Sequence, residues 1–215
     1  MTDGRIIKQQ FEELASKFTK LHLEEGPDKL WHIWGLLGFA GEFSGQLIKD
    51  EYAILMIVPN DYPNNLPQVW ETENRIPSDF HKYTNKSLCL GAPLAVKATF
   101  YEEPTLSCFV HNCLIPYLYS YSFYSRNGSL PFGELSHGIK GIYEYYREFF
   151  HLVDNRAILK LIKILAENNY RGHLLCACGS GKRLRSCHGP QLLKIKELQS
   201  PVDFRGEYDV LSRNI

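Results

Sequence analysis

The sequence predicts an α+β fold, and three observations carry that expectation. The chain opens on an amphipathic stretch with helical spacing. Short β-rich runs of period two follow between residues 30 and 72. Long apolar or amphipathic segments with helical period fill the second half. The expected order is an N-terminal helix, a four-stranded antiparallel meander sheet, C-terminal helices and a small zinc knuckle.

Residues 5–23 read as the first helix. Ile7, Phe11, Leu14, Phe18 and Leu21 recur at steps of four and three, which lines them on one face. Asp3 is the expected N-cap, and Gly26-Pro27 ends the segment. From Trp31 the period changes to two. Strands are expected at 31–36, 43–48, 52–58 and 68–72, with a turn at Asp50. Gly35, Gly38, Gly41 and Gly45 suggest turns or bulges between them. The connections are short, so neighbouring strands must pair antiparallel, because parallel pairing needs a long crossover.

Pro59, Pro63 and Pro67 fall in nine residues and exclude a sheet interior there. Residues 73–90 read as irregular. Residues 105–123 are apolar enough for a buried helix that Pro116 should bend. A loop over 128–133 leads to helices over 139–152 and 156–167. The second of these carries Ile158, Leu161, Ile162 and Leu165 on one side. Residues 191–215 read as a short helix with a loose tail. The domain reading is therefore 1–155, then a helix and metal motif over 156–190, then a tail over 191–215.

Charge narrows the function classes. Twenty-four basic side chains balance twenty-four acidic ones, so no global electrostatic grip on nucleic acid or on an anionic membrane is expected. No apolar stretch is long enough to span a bilayer, and the first residues lack the apolar segment of a signal peptide. A cytoplasmic, reducing setting with free thiols is the expectation.

The firmest chemical signal is Cys176-Ala177-Cys178-Gly179-Ser180-Gly181-Lys182, followed by a basic run and Cys187-His188. Two close ligand pairs eight residues apart can fold back around one ion. Thiolate sulfur and imidazole nitrogen suit tetrahedral zinc. Gly179 and Gly181 permit the sharp turn. Four protein ligands leave no open coordination position, so the expected zinc is structural. The motif resembles the SEC-C motif through its Cys-x-Cys-Gly-Ser-Gly-Lys core and Cys-His end. That resemblance implies a bacterial origin and a docking appendage. Lys182, Arg183 and Arg185 are either a contact for an acidic or phosphate-bearing partner or a solvated face.

A second signal is Cys89, which follows His81-Lys82-Tyr83-Thr84-Asn85-Lys86-Ser87-Leu88 and precedes Leu90. By residue chemistry alone, a cysteine between two leucines is either a core residue or a nucleophile with His81 and Asn85 nearby. Cys108 and Cys113 lie in an apolar run and read as core.

The order of these pieces resembles the ubiquitin-conjugating enzyme fold over about residues 5–152. Tyr52-x-Ile54-x-x-x-Val58-Pro59-x-x-Tyr62-Pro63-x-x-x-Pro67-x-Val69 is similar to that family's third strand, proline-rich loop and fourth strand. His81 and Leu88-Cys89-Leu90 are similar to its histidine motif and active-site cysteine. The resemblance implies that Cys89 accepts the C-terminus of a ubiquitin-like protein from an activating enzyme and passes it to an amine on a target protein. It implies that His81 shapes the loop, and that Asn85 or a backbone N–H near Cys89 steadies the oxyanion. The departures are concrete. The family's His-Pro-Asn is absent, the His-to-Cys interval is short, and Phe100-Tyr101 is the nearest aromatic pair where a downstream Trp is usual.

These differences resemble the bacterial branch of the fold, several members of which are linked to antiphage defence. A cyclic-nucleotide-producing nucleotidyltransferase is a further partner implied by that setting. Glu134-x-x-His137-Gly138-x-x-Gly141 also resembles a segment of that branch, with His137 either close to the cysteine or capping the next helix. An inactive relative serving as a binding module is the competing reading. Nucleic-acid binding through the knuckle is disfavoured by the neutral charge.

Overall fold

The computed structural model describes residues 4–131 and 138–214, and it divides the chain into two compact units. The first takes Met1–Leu90 and Thr99–Glu134; the second takes Gly91–Ala98 and Leu135–Ile215. Among the described residues, no helix is long and apolar enough to cross a membrane.

In the first unit, helix α1 (Gly4–Lys17) precedes an antiparallel meander of β1 (Leu21–Glu25), β2 (Trp31–Phe43), β3 (Gln46–Val58) and β4 (Gln68–Glu71). The α+β class and the four-stranded antiparallel meander expected from period and connection length are present. The strand boundaries differ from the expected ones. The first helix ends at Lys17, and Leu21 begins a strand that the helical spacing had absorbed. Leu21 pairs with Gly35 and Leu23 with Ile33, so β1 gains a ladder partner that a longer helix would forgo.

The two predicted runs 31–36 and 43–48 are not separate strands. One strand runs through Gly35, Gly38 and Gly41 to Phe43, and the next runs through Asp50. Asp50 is therefore no turn. The hairpin turns instead at Ser44-Gly45, whose φ values of 51° and 79° are those a tight two-residue hairpin loop requires. Gly41 is needed for packing, because a Cβ there would lie 2.8 Å from the Tyr119 ring.

The inner face of the sheet presents Ile33, Leu37, Tyr52, Ile54, Met56 and Val58, all buried. Tyr62 is buried as well. Its hydroxyl donates to Gln10 Oε1 on α1 (2.7 Å) and reaches the Pro104 carbonyl, while its ring meets Phe100 edge-on. Its hydroxyl thus ties the proline-rich loop to α1.

Helix α2 (Pro93–Phe100) was not anticipated. The expected buried helix over 105–123 is continuous helical chain in three parts: α3 (Leu106–Cys108), a π-helical turn (Phe109–Leu114) and α4 (Ile115–Asn127). Pro116 enters at the first turn of α4, where a missing N–H is tolerated, and the π turn immediately before it is the form the irregularity takes.

In the second unit, α5 (Gly138–Phe150) and α6 (Asn155–Ala166) match the two helices expected from periodicity. After the cysteine motif come α7 (Gly189–Lys196) and α8 (Pro201–Ser212). The expected loose tail is thus a capped helix. Ser200 and Asp203 close a capping box at its start, and Phe204 and Leu211 are buried. One core joins Tyr146 and Phe150 of α5, Ile158 to Leu165 of α6, Leu192 and Ile195 of α7, and Phe204 of α8. Cys176 and Leu184 belong to that same core.

Candidate thiol and metal sites

Cys176, Cys178, Cys187 and His188 converge. Their ligand atoms all lie within 4.8 Å of one another. Cys176 Sγ is 3.2 Å from His188 Nδ1, Cys187 Sγ is 3.3 Å from the same nitrogen, and Cys178 Sγ is 3.5 Å from Cys187 Sγ. A tetrahedral zinc with sulfur at about 2.3 Å and nitrogen at about 2.0–2.1 Å needs ligand–ligand edges of roughly 3.5–3.8 Å. The cluster is of that size and donor chemistry, so it can bind a metal such as zinc.

Local sequence explains the convergence. Leu184 N–H donates to Leu174 O and Cys176 N–H to Lys182 O, each at 2.8 Å, and Leu175 bridges Arg183. The segment is therefore a short antiparallel ribbon. Its tip turns at Gly179 and Gly181, with φ of 79° and 72°, a region that favours glycine. Ser180 faces back into the cluster, with Oγ 3.2 Å from Cys178 Sγ and 3.4 Å from Cys187 Sγ.

Burial raises the thiol pKa of both Cys176 and Cys178. At Cys178 the Ser180 hydroxyl and backbone N–H overcome it and bring the thiol down to about 6, whereas at Cys176 burial prevails. His188 Nε2 meets the Phe150 carbonyl at 3.0 Å, which leaves Nδ1 for the thiols. Gln191 Nε2 donates to Phe149 O at 2.7 Å. Two carbonyls at the end of α5 are thus satisfied by the cysteine motif and the helix that follows it. Gly189 is obligatory by contact, because a Cβ there would lie 2.6 Å from the Leu184 carbonyl oxygen.

Cys89 lies at the end of a small hairpin. Tyr83 N–H donates to Ser87 O at 2.9 Å, Lys82 bridges Leu88, and Cys89 N–H donates to His81 O at 2.7 Å. Leu88 N–H reaches back to Val69 O on β4 at 2.8 Å. Leu88 is buried, and Cys89 beside it is partly exposed. Cys108 and Cys113 are buried, as their apolar run implied, and burial with help from Cys108 pushes the Cys113 thiol up to about 11.

His81 adopts a positive φ of 46° and acts through its backbone. Its carbonyl accepts both the Cys89 N–H and, at 3.2 Å, the Tyr117 hydroxyl, which also donates to Phe80 O at 3.0 Å. Its ring packs edge-on against Phe80. Asn85 is turned into its own loop. Its Oδ1 accepts from Ser87 N and Ser87 Oγ, at 3.1 and 2.7 Å, and its backbone carbonyl accepts from Trp70 Nε1. Beneath the hairpin, the buried Glu71 carboxylate caps the Glu73 and Ile76 N–H groups and faces Lys82, which donates to Ile76 O.

Sequence reasoning missed Tyr83. The residue is 48% exposed, and the hairpin register puts it on one face with Cys89, diagonally across from that thiol. Burial, reinforced by that thiol, raises its phenol above the ordinary range. The signal was the turn-forming run Thr84-Asn85-Lys86, which makes a hairpin of 83–87 and draws residue 83 toward the cysteine. Glu134 and His137, singled out by resemblance, lie outside the described residues.

No model of a known protein family matches the chain, and no curated protein matches it.

Proposed function

We propose that the protein is a ubiquitin-conjugating-like transferase in which Cys89 carries the C-terminus of a ubiquitin-like protein as a thioester and yields it to an amine on a target. The observation that supports this reading best is the contrast among the thiols of the first unit. Cys89 is partly exposed on a braced hairpin after β4, whereas Cys108 and Cys113 are buried. A thioester is already a reactive acyl donor, so such a protein has mainly to orient the amine and stabilise the oxyanion. His81 serves as a positioning residue here: its carbonyl fixes the Cys89 backbone.

On the same reading, Cys176, Cys178, Cys187 and His188 hold one structural zinc, with Ser180 and the Phe150 carbonyl orienting the ligands. The resemblance to the bacterial branch makes an activating enzyme, a ubiquitin-like protein and a cytoplasmic defence pathway the expected setting.

The test combines the protein with a candidate activating enzyme, its ubiquitin-like protein and ATP. A thiol-sensitive adduct on a non-reducing gel is the expected result, and Cys89→Ala should abolish it. Normal loading of Cys89→Ala would overturn the assignment. A second reading, a non-catalytic binding module of the same fold, is favoured by one observation. Of the oxyanion groups anticipated from sequence, the Cys89 N–H is engaged with the His81 carbonyl, and Asn85 is held in its own turn by two hydrogen bonds that its Oδ1 accepts from Ser87.

A further inference from the structure

We infer that the Tyr83 hydroxyl is the group that donates a hydrogen bond to the oxyanion when an amine attacks the Cys89 thioester. This rests on the transferase reading above and supplies a donor for it.

The hairpin register brings the two residues together. Tyr83 sits opposite Ser87, Lys82 opposite Leu88, and His81 holds Cys89. Residues 81, 83, 87 and 89 therefore share one face of the hairpin, and the Tyr83 phenol and the Cys89 sulfur are diagonal neighbours within reach of each other. In a thioester the carbonyl oxygen is two bonds from that sulfur, so a small swing of the phenol brings its hydrogen to that oxygen. Acylation itself favours the swing, because a thioester sulfur is a poorer acceptor than the neighbouring carbonyl oxygen.

Two other donors close to the cysteine are engaged elsewhere. The Cys89 N–H serves His81 O, and the Tyr117 hydroxyl serves Phe80 O and His81 O from a buried position. Tyr83, by contrast, is half-exposed, so an incoming acyl group and an amine can reach the same side. Its raised pKa keeps the phenol protonated, hence a donor, at neutral pH.

The step balances without a co-reactant. The neutral amine nitrogen forms a bond to the thioester carbon, and the tetrahedral oxyanion accepts the Tyr83 hydrogen bond. The carbon–sulfur bond then breaks, the amide forms, and the proton lost by nitrogen restores the Cys89 thiol. Tyr83 keeps its own proton throughout.

The experiment avoids any unidentified partner. Full-length protein is acylated with the 2-mercaptoethanesulfonate thioester of a short peptide ending in glycylglycine, and mass mapping locates the acyl group. Free lysine is then added, and aminolysis is followed against lysine concentration. For Tyr83→Phe, acylation of Cys89 should stay within a few-fold of wild type. The limiting aminolysis rate should fall about a hundredfold, the usual cost of one oxyanion donor, with half-saturation by lysine unchanged.

Asn85→Ala perturbs the same hairpin from its turn and should slow aminolysis far less. Equal rates for wild type and Tyr83→Phe would overturn the inference and leave the transferase reading standing. An equal loss in Asn85→Ala would also overturn it, by assigning the effect to hairpin shape. Failure of Cys89 to take the acyl group at all would remove both.

Discussion

Cys89 and Cys178 are both partly exposed cysteines in tight, hydrogen-bonded turns, yet their surroundings prepare them for different chemistry. Cys178 is one of four converging ligands, and a serine hydroxyl and N–H bring its thiol down to about 6. Cys89 shares one face of its hairpin with the Tyr83 phenol, and the Tyr117 hydroxyl anchors the His81 carbonyl that holds its N–H. The first arrangement can hold a cation through several thiolates. On the proposed reading, the second leaves one sulfur able to change its covalent partner while a neutral donor stands by. Exposure alone would have put the two in one class; the neighbours separate them.

The comparison is broken most severely by removing metal. If the quartet holds zinc, stripping it with a strong chelator, or replacing Cys187 by Ser, should cost the second unit several kcal/mol, since such sites supply roughly 10 kcal/mol or more in small domains. In the structure Cys176 and Leu184 share a core with Phe150, Leu161 and Leu192, and His188 meets the last carbonyl of α5. Hydrogen exchange should therefore rise along α5 and α6 as well as along 174–188. Metal-free protein with unchanged protection in α5 would refute the coupling.

A smaller effect is expected in the first unit. Tyr117→Phe removes the hydroxyl shared by the buried Phe80 carbonyl and the partly buried His81 carbonyl. Leaving them short of a donor should cost about 1–3 kcal/mol by denaturant titration. Because the His81 carbonyl also holds Cys89, iodoacetamide should then alkylate Cys89 faster, with Cys113 still protected. Unaltered alkylation would show that the Tyr117 anchor does not control the thiol.

The smallest effect concerns pH. Burial raises the carboxyl pKa of Glu207, against the opposing pull of the Tyr146 hydroxyl that it accepts. A raised folded pKa means that the folded state binds the proton better. Its stabilising contribution is full below the unfolded value near 4.5 and is lost as pH rises through the folded value. Glu207→Gln keeps an acceptor for Tyr146 and removes the ionisation, so it should melt higher than wild type at pH 7 by a few degrees. The difference should vanish near pH 4. Asp203 runs the other way. Burial raises its carboxyl, but the hydrogen bond and charge of Lys97 outweigh it, and that contribution is lost as pH falls. A melting difference that grows toward acid would contradict the assignment to Glu207.

Local signals were legible in the sequence. The metal quartet was, because its four ligands fall within thirteen residues and the two glycines announce the turn. Helices α5 and α6 were, because their apolar faces keep a helical period throughout. Signals decided by distant partners were not. Phe18 and Leu21 continue the helical spacing of α1, and nothing local reveals that Leu21 will pair with Gly35. Gly35 and Gly41 looked like breaks, whereas they are close approaches, to the Lys20 carbonyl and to the Tyr119 ring. The start of α8 was legible and overlooked: Ser200-Pro201-Val202-Asp203 is a cap followed by proline and an acidic N3. For the thiol site, Cys89 and His81 were readable by position. The contribution of Tyr83 was not, because it depends on which rung of a hairpin faces the sulfur.

The β2–β3 hairpin has a consequence for how the chain finds its fold. Its pairs run from Phe43 with Gln46 at the turn to Trp31 with Val58 at the open end. Each new pair therefore closes a loop barely longer than the one before it, and the entropy of closure is met in small instalments. Once Ser44-Gly45 bends, this ribbon can zip outward without waiting for any remote segment. β1, β4, α1 and α4 can then add to a template that already exists. Contacts of such short sequence separation favour fast folding. Replacing Gly45 by valine would delay that first closure, and the delay would appear in the refolding rate more than in the unfolding rate.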